Sequence, residues 1–212
     1  MKVKLIWVTP NAEEVILHCA RVNVHEEVQK SKNTNLINYL IKHKHWSPFE
    51  MVSMCVEVET SRDISRQVIR HRSFSYQEFS QRYHKVDLNP LIREGRLQDK
   101  KNRQNSLETE DPELHEQWNS MQIELWNKSI DLYNRSLELG IAKEQARALL
   151  PEGLTKTKYY QSGTLRSFIH YCQVRMDPTT QKEHREIGNA IWKIMGREFP
   201  TVVEALLKNE KE

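Results

Sequence analysis

The chain has no apolar run longer than a few residues, so no segment of it reads as a membrane span. Hydrophobic residues make up 38% and charged residues 29%, a balance too polar for a membrane protein and ordinary for a soluble one. Cysteine is scarce: Cys19, Cys55 and Cys172 form no CxxC pair and leave an odd count, which argues against a disulfide framework. Each falls in a segment expected to be regular and partly buried, and each reads as a small core residue. Charge of one sign is also nearly absent, at +3 over 212 residues, so any electrostatic message must be local. No internal repeat, low-complexity run or GxGxxG loop is present, and Met1-Lys2-Val3-Lys4-Leu5 lacks a signal-peptide layout, which points to the cytoplasm. This length suits one domain, 1–212, with a sizeable core.

What is present alternates strand and helix patterns. Val3 to Val8 is short, β-branched and aromatic, bounded by Thr9-Pro10, and reads as a strand. Asn11-x-x-Glu14 has the form of a helix start, with Val15, Ile16, Cys19 and Val22 on the buried side. A second helix is expected after Asn33, with Leu36, Ile37, Leu40 and Ile41 as its apolar stripe. Met51 to Glu59 alternates, Val52, Met54, Val56 and Val58 against Ser53, Cys55, Glu57 and Glu59, the pattern of a half-buried strand in an antiparallel or mixed sheet. Thr60-x-x-Asp63 then reads as the cap of a helix running to Ile69, with Arg62, Arg66 and Arg70 on one face.

Asn89 to Asp111 is polar throughout and reads as a long loop. Asp111-Pro112 opens a long helix stopped by Gly140, whose exposed-face aromatics suggest packing against other subunits. Ala142 to Leu150 reads as a shorter helix, Lys156 to Gln161 as a strand, and Thr164 as the cap of a helix burying Leu165, Phe168, Ile169 and Cys172. Thr180-x-x-Glu183 and Thr201-x-x-Glu204 look like capping boxes for the last two helices, and the end from Lys208 is expected to fray. The fold class that follows is α+β, a mixed or antiparallel sheet with packed helices.

The richest stretch chemically is 70–83, Arg-His-Arg-Ser-Phe-Ser-Tyr-Gln-Glu-Phe-Ser-Gln-Arg-Tyr. Arginine presents a permanently charged fork of donors matched to phosphate or carboxylate oxygens. Three such forks with serines, a histidine and a carboxylate are the inventory of an anion site for a polar ligand. Three other readings stay open. A solvated basic stripe followed by a polar loop is the plain one. A nucleic-acid surface built on Arg62, Arg66, Arg70, Arg72 and Arg82 is the second, and Glu78 weighs against it because a carboxylate repels a polyphosphate backbone. A histidine metal site at His43-x-His45 is the third, and it lacks a third ligand at a convincing spacing.

The pattern Arg70-His71-Arg72, seven residues, then Ser80-x-Arg82 resembles the signature of the flavin-dependent thymidylate synthases. The likeness extends from the first helix to Thr180. His45-x-x-Pro48-Phe49-Glu50, the segment from Gly140 through Arg147 to Pro151, and Leu165-Arg166-Ser167-Phe168 through Arg175 are similar to further family segments. The resemblance implies that Gln67, Arg70, Glu78, Phe79, Ser80, Gln81, Arg82, Arg147 and Arg175 surround dUMP. It implies that His45, Ser47, Arg70, His71, Arg72, Thr164, Leu165, Arg166 and His170 hold FAD. Thr164, His170 and Gln77 replace asparagines frequent in the family and keep hydrogen-bonding capacity.

The implied reaction is methylation of dUMP, with methylenetetrahydrofolate as carbon donor and NADPH-reduced FAD as hydride source, in a homotetramer whose sites lie between subunits. No metal, membrane or nucleic acid is implied. The residues suit that chemistry. Pyrimidine C5 must gain electron density, and no cysteine stands in an arginine-rich setting to supply it by covalent addition. A fixed cation stabilising negative charge on the ring is the other route, and Arg175 is the candidate catalytic residue.

Overall fold

The structure, a computed structural model, describes residues 1–23 and 35–209. Its centre is a four-stranded sheet of β1 (Lys2–Val8), β2 (Ser53–Ser61), β6 (Lys156–Thr164) and β3 (Ser75–Glu78) in the order β1-β2-β6-β3, every pairing antiparallel. The alternation in the second strand has the expected consequence: Val52, Met54, Val56 and Val58 are each fully buried. Side chains of this size stabilise by about 1.5–3 kcal/mol each when removed from water. Against that face pack α1 (Ala12–Ala20), α2 (Asn35–Lys42), α6 (Leu165–Arg175), α7 (Lys182–Glu198) and α8 (Pro200–Asn209). A smaller cluster of Val86, Tyr133, Ala146 and Leu150 joins the long α4 (Pro112–Glu138) to the short α5 (Lys143–Ala146). Among the described residues no helix is long and apolar enough to cross a membrane.

Several local expectations change. The stretch 70–83 is not a plain polar loop: β3 lies inside it and hydrogen-bonds to β6. Gly163 on β6 makes that seat possible, since a Cβ there would lie 2.5 Å from Phe74 Cδ1. The polar span 89–111 holds a hairpin of β4 (Arg96–Gln98) and β5 (Ser106–Glu108), its turn organised by Asp99, which accepts from the backbone of Lys101 and Asn102 and from Asn105 Nδ2. The expected cap at Thr60 is displaced. Thr60 lies within β2, whose last residue is Ser61; α3 runs Arg62–Val68, and Ser61 at the cap position donates to Asp63 Oδ1 at 2.6 Å. Arg62, Arg66 and Arg70 form no solvated stripe, because Arg62 is buried.

Asn11 stands at a helix start but in a left-handed conformation (φ 50°) without a side-chain cap bond, and Val22 is exposed instead of buried. Neither of the last two capping boxes forms. Gln181 holds the cap position of α7 while Glu183 turns to Arg96, and Thr201 lies inside α8, where Glu13 of α1 accepts from Val202 N. Asp111 and Thr164 do cap, accepting from Glu113 N and Ser167 N respectively. Gly140, at φ +81°, follows α4 as a helix stop. The expected helix start after Asn33 and the last residues of the expected frayed end lie outside the described residues.

Candidate functional site

The turn between α3 and β3 fixes the first half of the site. His71 N donates to Val68 O at 3.0 Å, and the Tyr76 hydroxyl shares its one proton between Val68 O at 3.0 Å and His71 O at 3.2 Å, so the histidine leaves the helix end in one direction. It meets the last residue of α6. Arg175 Nε donates to His71 Nε2 at 2.7 Å, and the His71 ring stands edge-on to Tyr171 at 4.9 Å between centroids. Burial, then the Arg175 guanidinium, then His170 push the His71 pKa down to about 4. A neutral ring accepting at Nε2 carries its proton on Nδ1. Behind it, the Tyr171 hydroxyl bonds His184 Nε2 at 3.1 Å, and burial with Arg175 and His71 pushes His184 to about 3.

Arg175 is therefore gripped through Nε by a neutral group. It has no carboxylate partner among the described residues, which leaves the outer edge of its guanidinium for a ligand. It lines a depression of about 680 Å³ together with Gln67, Gln173, Thr180 and Gln181. Arg70 and Arg72, exposed on either side of His71, are also without hydrogen-bond or ion-pair partners among the described residues.

The remaining expected residues fall in other places. Arg82 lines a second depression of about 570 Å³ with Tyr83, Lys85, Lys143 and Glu144, and reaches Glu144 at 3.3 Å. Arg147 donates through Nε to the Glu144 carbonyl, so the two arginines meet around one residue. Glu78 points inward: it accepts from Ser65 Oγ at 2.7 Å and Thr157 Oγ1 at 2.9 Å, with Arg62 at 3.7 Å. Phe79 stacks on His84, and Ser80 Oγ accepts from Arg82 N. Gln81 is buried, and its Nε2 has no partner among the described residues.

Arg166 and His170 line a third depression of about 410 Å³ with Trp46, Glu50, Ser73 and Ser167, where Arg166 pairs with Glu50 at 2.6 Å. Ser47 lines a fourth, beside His18 and Cys19, while His45 packs in a ring cluster with Tyr39 and His43. Thr164 caps α6. Leu165 is fully buried, with its backbone N–H donated to Val52 O, so its side chain cannot face a ligand. Trp46, Glu50 and Ser73 are site-wall residues that sequence reasoning did not single out. The Pro48-Phe49-Glu50 match already contained Glu50, and its pairing with Arg166 across more than a hundred residues had no local signal.

Three arginines without a carboxylate partner among the described residues, a neutral histidine fixing one of them, and separate polar depressions define an α+β protein of the anion-binding enzyme class, with its binding groups spread over several surfaces. Residues 4–201 match the family model described as thymidylate synthase complementing protein, and the chain belongs to that family. It is 46% identical to a probable flavin-dependent thymidylate synthase of Paramecium bursaria Chlorella virus 1, over 97% of this chain and 99% of that one. It is 47% identical to a flavin-dependent thymidylate synthase of a Synechocystis species, over 92% and 89% of the two chains. The fold is similar to a crystal structure of the UMP/dUMP methylase PolB from Streptomyces cacaoi bound with 5-Br dUMP, with TM-score 0.83 and 24% identity over 98% and 94% of the chains.

Proposed function

We propose that this chain, as one domain over 1–212, is a flavin-dependent thymidylate synthase: it converts dUMP to dTMP, taking the one-carbon unit from methylenetetrahydrofolate and the reducing hydride from FAD reduced by NADPH. The observation that carries this reading is Arg175, a half-buried cation without a carboxylate partner among the described residues, held by neutral His71 beside Gln67. A guanidinium fixed in that way meets negative charge as it develops on a pyrimidine ring and raises electron density at C5, without reorganising at the moment of reaction. No thiolate competes for the role. Burial raises the Cys55 and Cys172 thiols, and Cys19 lies in the depression with His18 and Ser47, away from Arg175.

The donor set fits an anionic flavin nucleotide. Arg70 and Arg72 offer cations without partners among the described residues, Trp46 offers an aromatic wall, and Arg166, Ser167 and His170 offer donors along α6. His45, Ser47 and Thr164 are the further residues proposed to hold FAD, with Leu165 anchoring the start of α6 from the core. Bound there, the flavin supplies the hydride. Arg82 and Arg147 with Ser80, Gln81 and Phe79 would hold the nucleotide, and Glu78 would brace β3 behind them. That these groups lie in separate depressions of one chain supports a homotetramer whose sites combine surfaces from different subunits; the proposed setting is the cytoplasm. The test is dTMP formation from dUMP. Product is expected only when FAD, NADPH and methylenetetrahydrofolate are all present, and to survive a chelator. Turnover without FAD, or no turnover with all three, contradicts the reading.

A further inference from the structure

A chain of side-chain hydrogen bonds runs from the β4–β5 hairpin to Gln67, and its direction is fixed at one end. Arg96 on β4 lies against Glu183 at the start of α7, with side chains 11% and 17% exposed. Burial alone would raise the Glu183 carboxyl, but its bonds to Arg96, its own backbone and Gln181 outweigh that, and its pKa lies below the usual value. An ionised carboxylate only accepts. Gln181 must therefore turn its Nε2 to Glu183 Oε2, at 2.9 Å, which leaves Gln181 Oε1 facing Gln67. Gln67 in turn must donate, and its Nε2 lies 2.7 Å from Gln181 Oε1.

A free glutamine amide has two orientations that exchange oxygen for nitrogen. Here a carboxylate one residue removed selects one of them. The Gln67 carbonyl oxygen is left for whatever occupies the depression shared with Arg175. We infer that Glu183, acting through Gln181, is a positioning residue that presents the carbonyl oxygen of Gln67 to the nucleotide. This wall of the depression then selects a base that donates a hydrogen bond, such as the imide N–H of uracil, over one that accepts there, such as the ring nitrogen of cytosine. The inference rests on the proposed dUMP reading. It also gives a role to the hairpin, since Arg96 holds the carboxylate that starts the chain.

Calorimetric binding of dUMP and dCMP to the FAD-loaded protein tests it. Glu183→Gln can donate as well as accept and so releases the constraint. It should weaken dUMP about tenfold, the scale of one hydrogen bond of about 1.4 kcal/mol, and narrow the preference over dCMP, with FAD affinity unchanged. Gln181→Met spares the Arg96 pair and should do the same, which keeps the test available if Glu183→Gln folds poorly. A bracing role would add to any other loss, so the deciding readout is a double-mutant cycle: in a Gln67→Ala background, Glu183→Gln should cost dUMP affinity nothing more. An affinity within twofold of the parent in the folded single variants, or an equal further loss in the Gln67→Ala background, overturns the inference. A parent protein that binds no dUMP would instead contradict the proposed function.

Discussion

The two arginines that bracket α3 have opposite surroundings. Arg62, with its side chain 10% exposed, is enclosed by Glu78 and the Phe79 carbonyl; Arg70, eight residues on, is exposed and has no partner among the described residues. The contrast recurs across the molecule. Arg66, Arg93 and Arg96 pair with Glu152, Asp63 and Glu183, whereas Arg72 and Arg175 have no carboxylate among the described residues. Arginines enclosed with a carboxylate of their own chain, such as Arg62, Arg93 and Arg96, brace strands and helices, whereas Arg82 and Arg166 pair with Glu144 and Glu50 at exposed positions beside the depressions they line. An arginine left without an anion keeps its charge and donors for a ligand, and those arginines gather at the end of α3 and the end of α6.

Substitutions can break this contrast in either class. The largest effect is expected from Arg175→Ala: loss of the fixed cation should lower dTMP formation by about a hundredfold or more while the flavin stays bound, as for removal of a preorganised charge-stabilising donor. Product analysis with the absorption spectrum checks both halves. Glu78→Ala strikes the bracing class, leaving Arg62 enclosed without its anion. It should cost about 3 kcal/mol of stability, read by chemical denaturation. Arg82→Ala should weaken dUMP by about tenfold, since the hydrogen bonds lost are charge-assisted; unchanged affinity removes Arg82 from the site.

The pH dependence sharpens the same picture. His71 and His184 are held neutral, at about 4 and about 3, well below the ordinary histidine value of 6.5. The unfolded chain therefore takes up protons between pH 6.5 and about 4 that the folded one refuses, so stability is full above 6.5 and falls as pH drops through that window. Denaturation midpoints for the parent and His184→Asn, compared from pH 7 to 4.5, should diverge at neutral pH and converge in acid. Parallel curves contradict neutral rings. The smallest effect is expected from Arg66→Ala, which removes an exposed pair and should change stability by less than about 1 kcal/mol and activity not at all.

The strand within Met51–Glu59 and the helix α6 were legible because each buries one face, so alternation in the first and an apolar stripe in the second follow from period alone. Caps were legible where the side chain acts locally, at Asp111 and Thr164. They were misread where a distant partner took the carboxylate: Glu183 answers Arg96 from β4, and Glu13 caps α8 from nearly two hundred residues away. The motif of 70–83 identified the chemistry without revealing that its glutamate faces Ser65 and Thr157 or that its histidine grips Arg175. Those choices depend on which strand lies beneath, and β6 with Gly163 becomes visible only in three dimensions. The hairpin in 89–111 had no apolar alternation to announce it, being held by Asp99 and by ion pairs to α7.

In the proposed enzyme, Arg175 joins the nucleotide to the flavin side of the molecule. The most direct test is the anaerobic visible spectrum of the FAD-loaded protein during reduction by NADPH, with and without dUMP, in the parent and in Arg175→Ala. dUMP should change the course of bleaching in the parent and not in the variant. A parent spectrum indifferent to dUMP, or a variant that responds as the parent does, would contradict that role for Arg175.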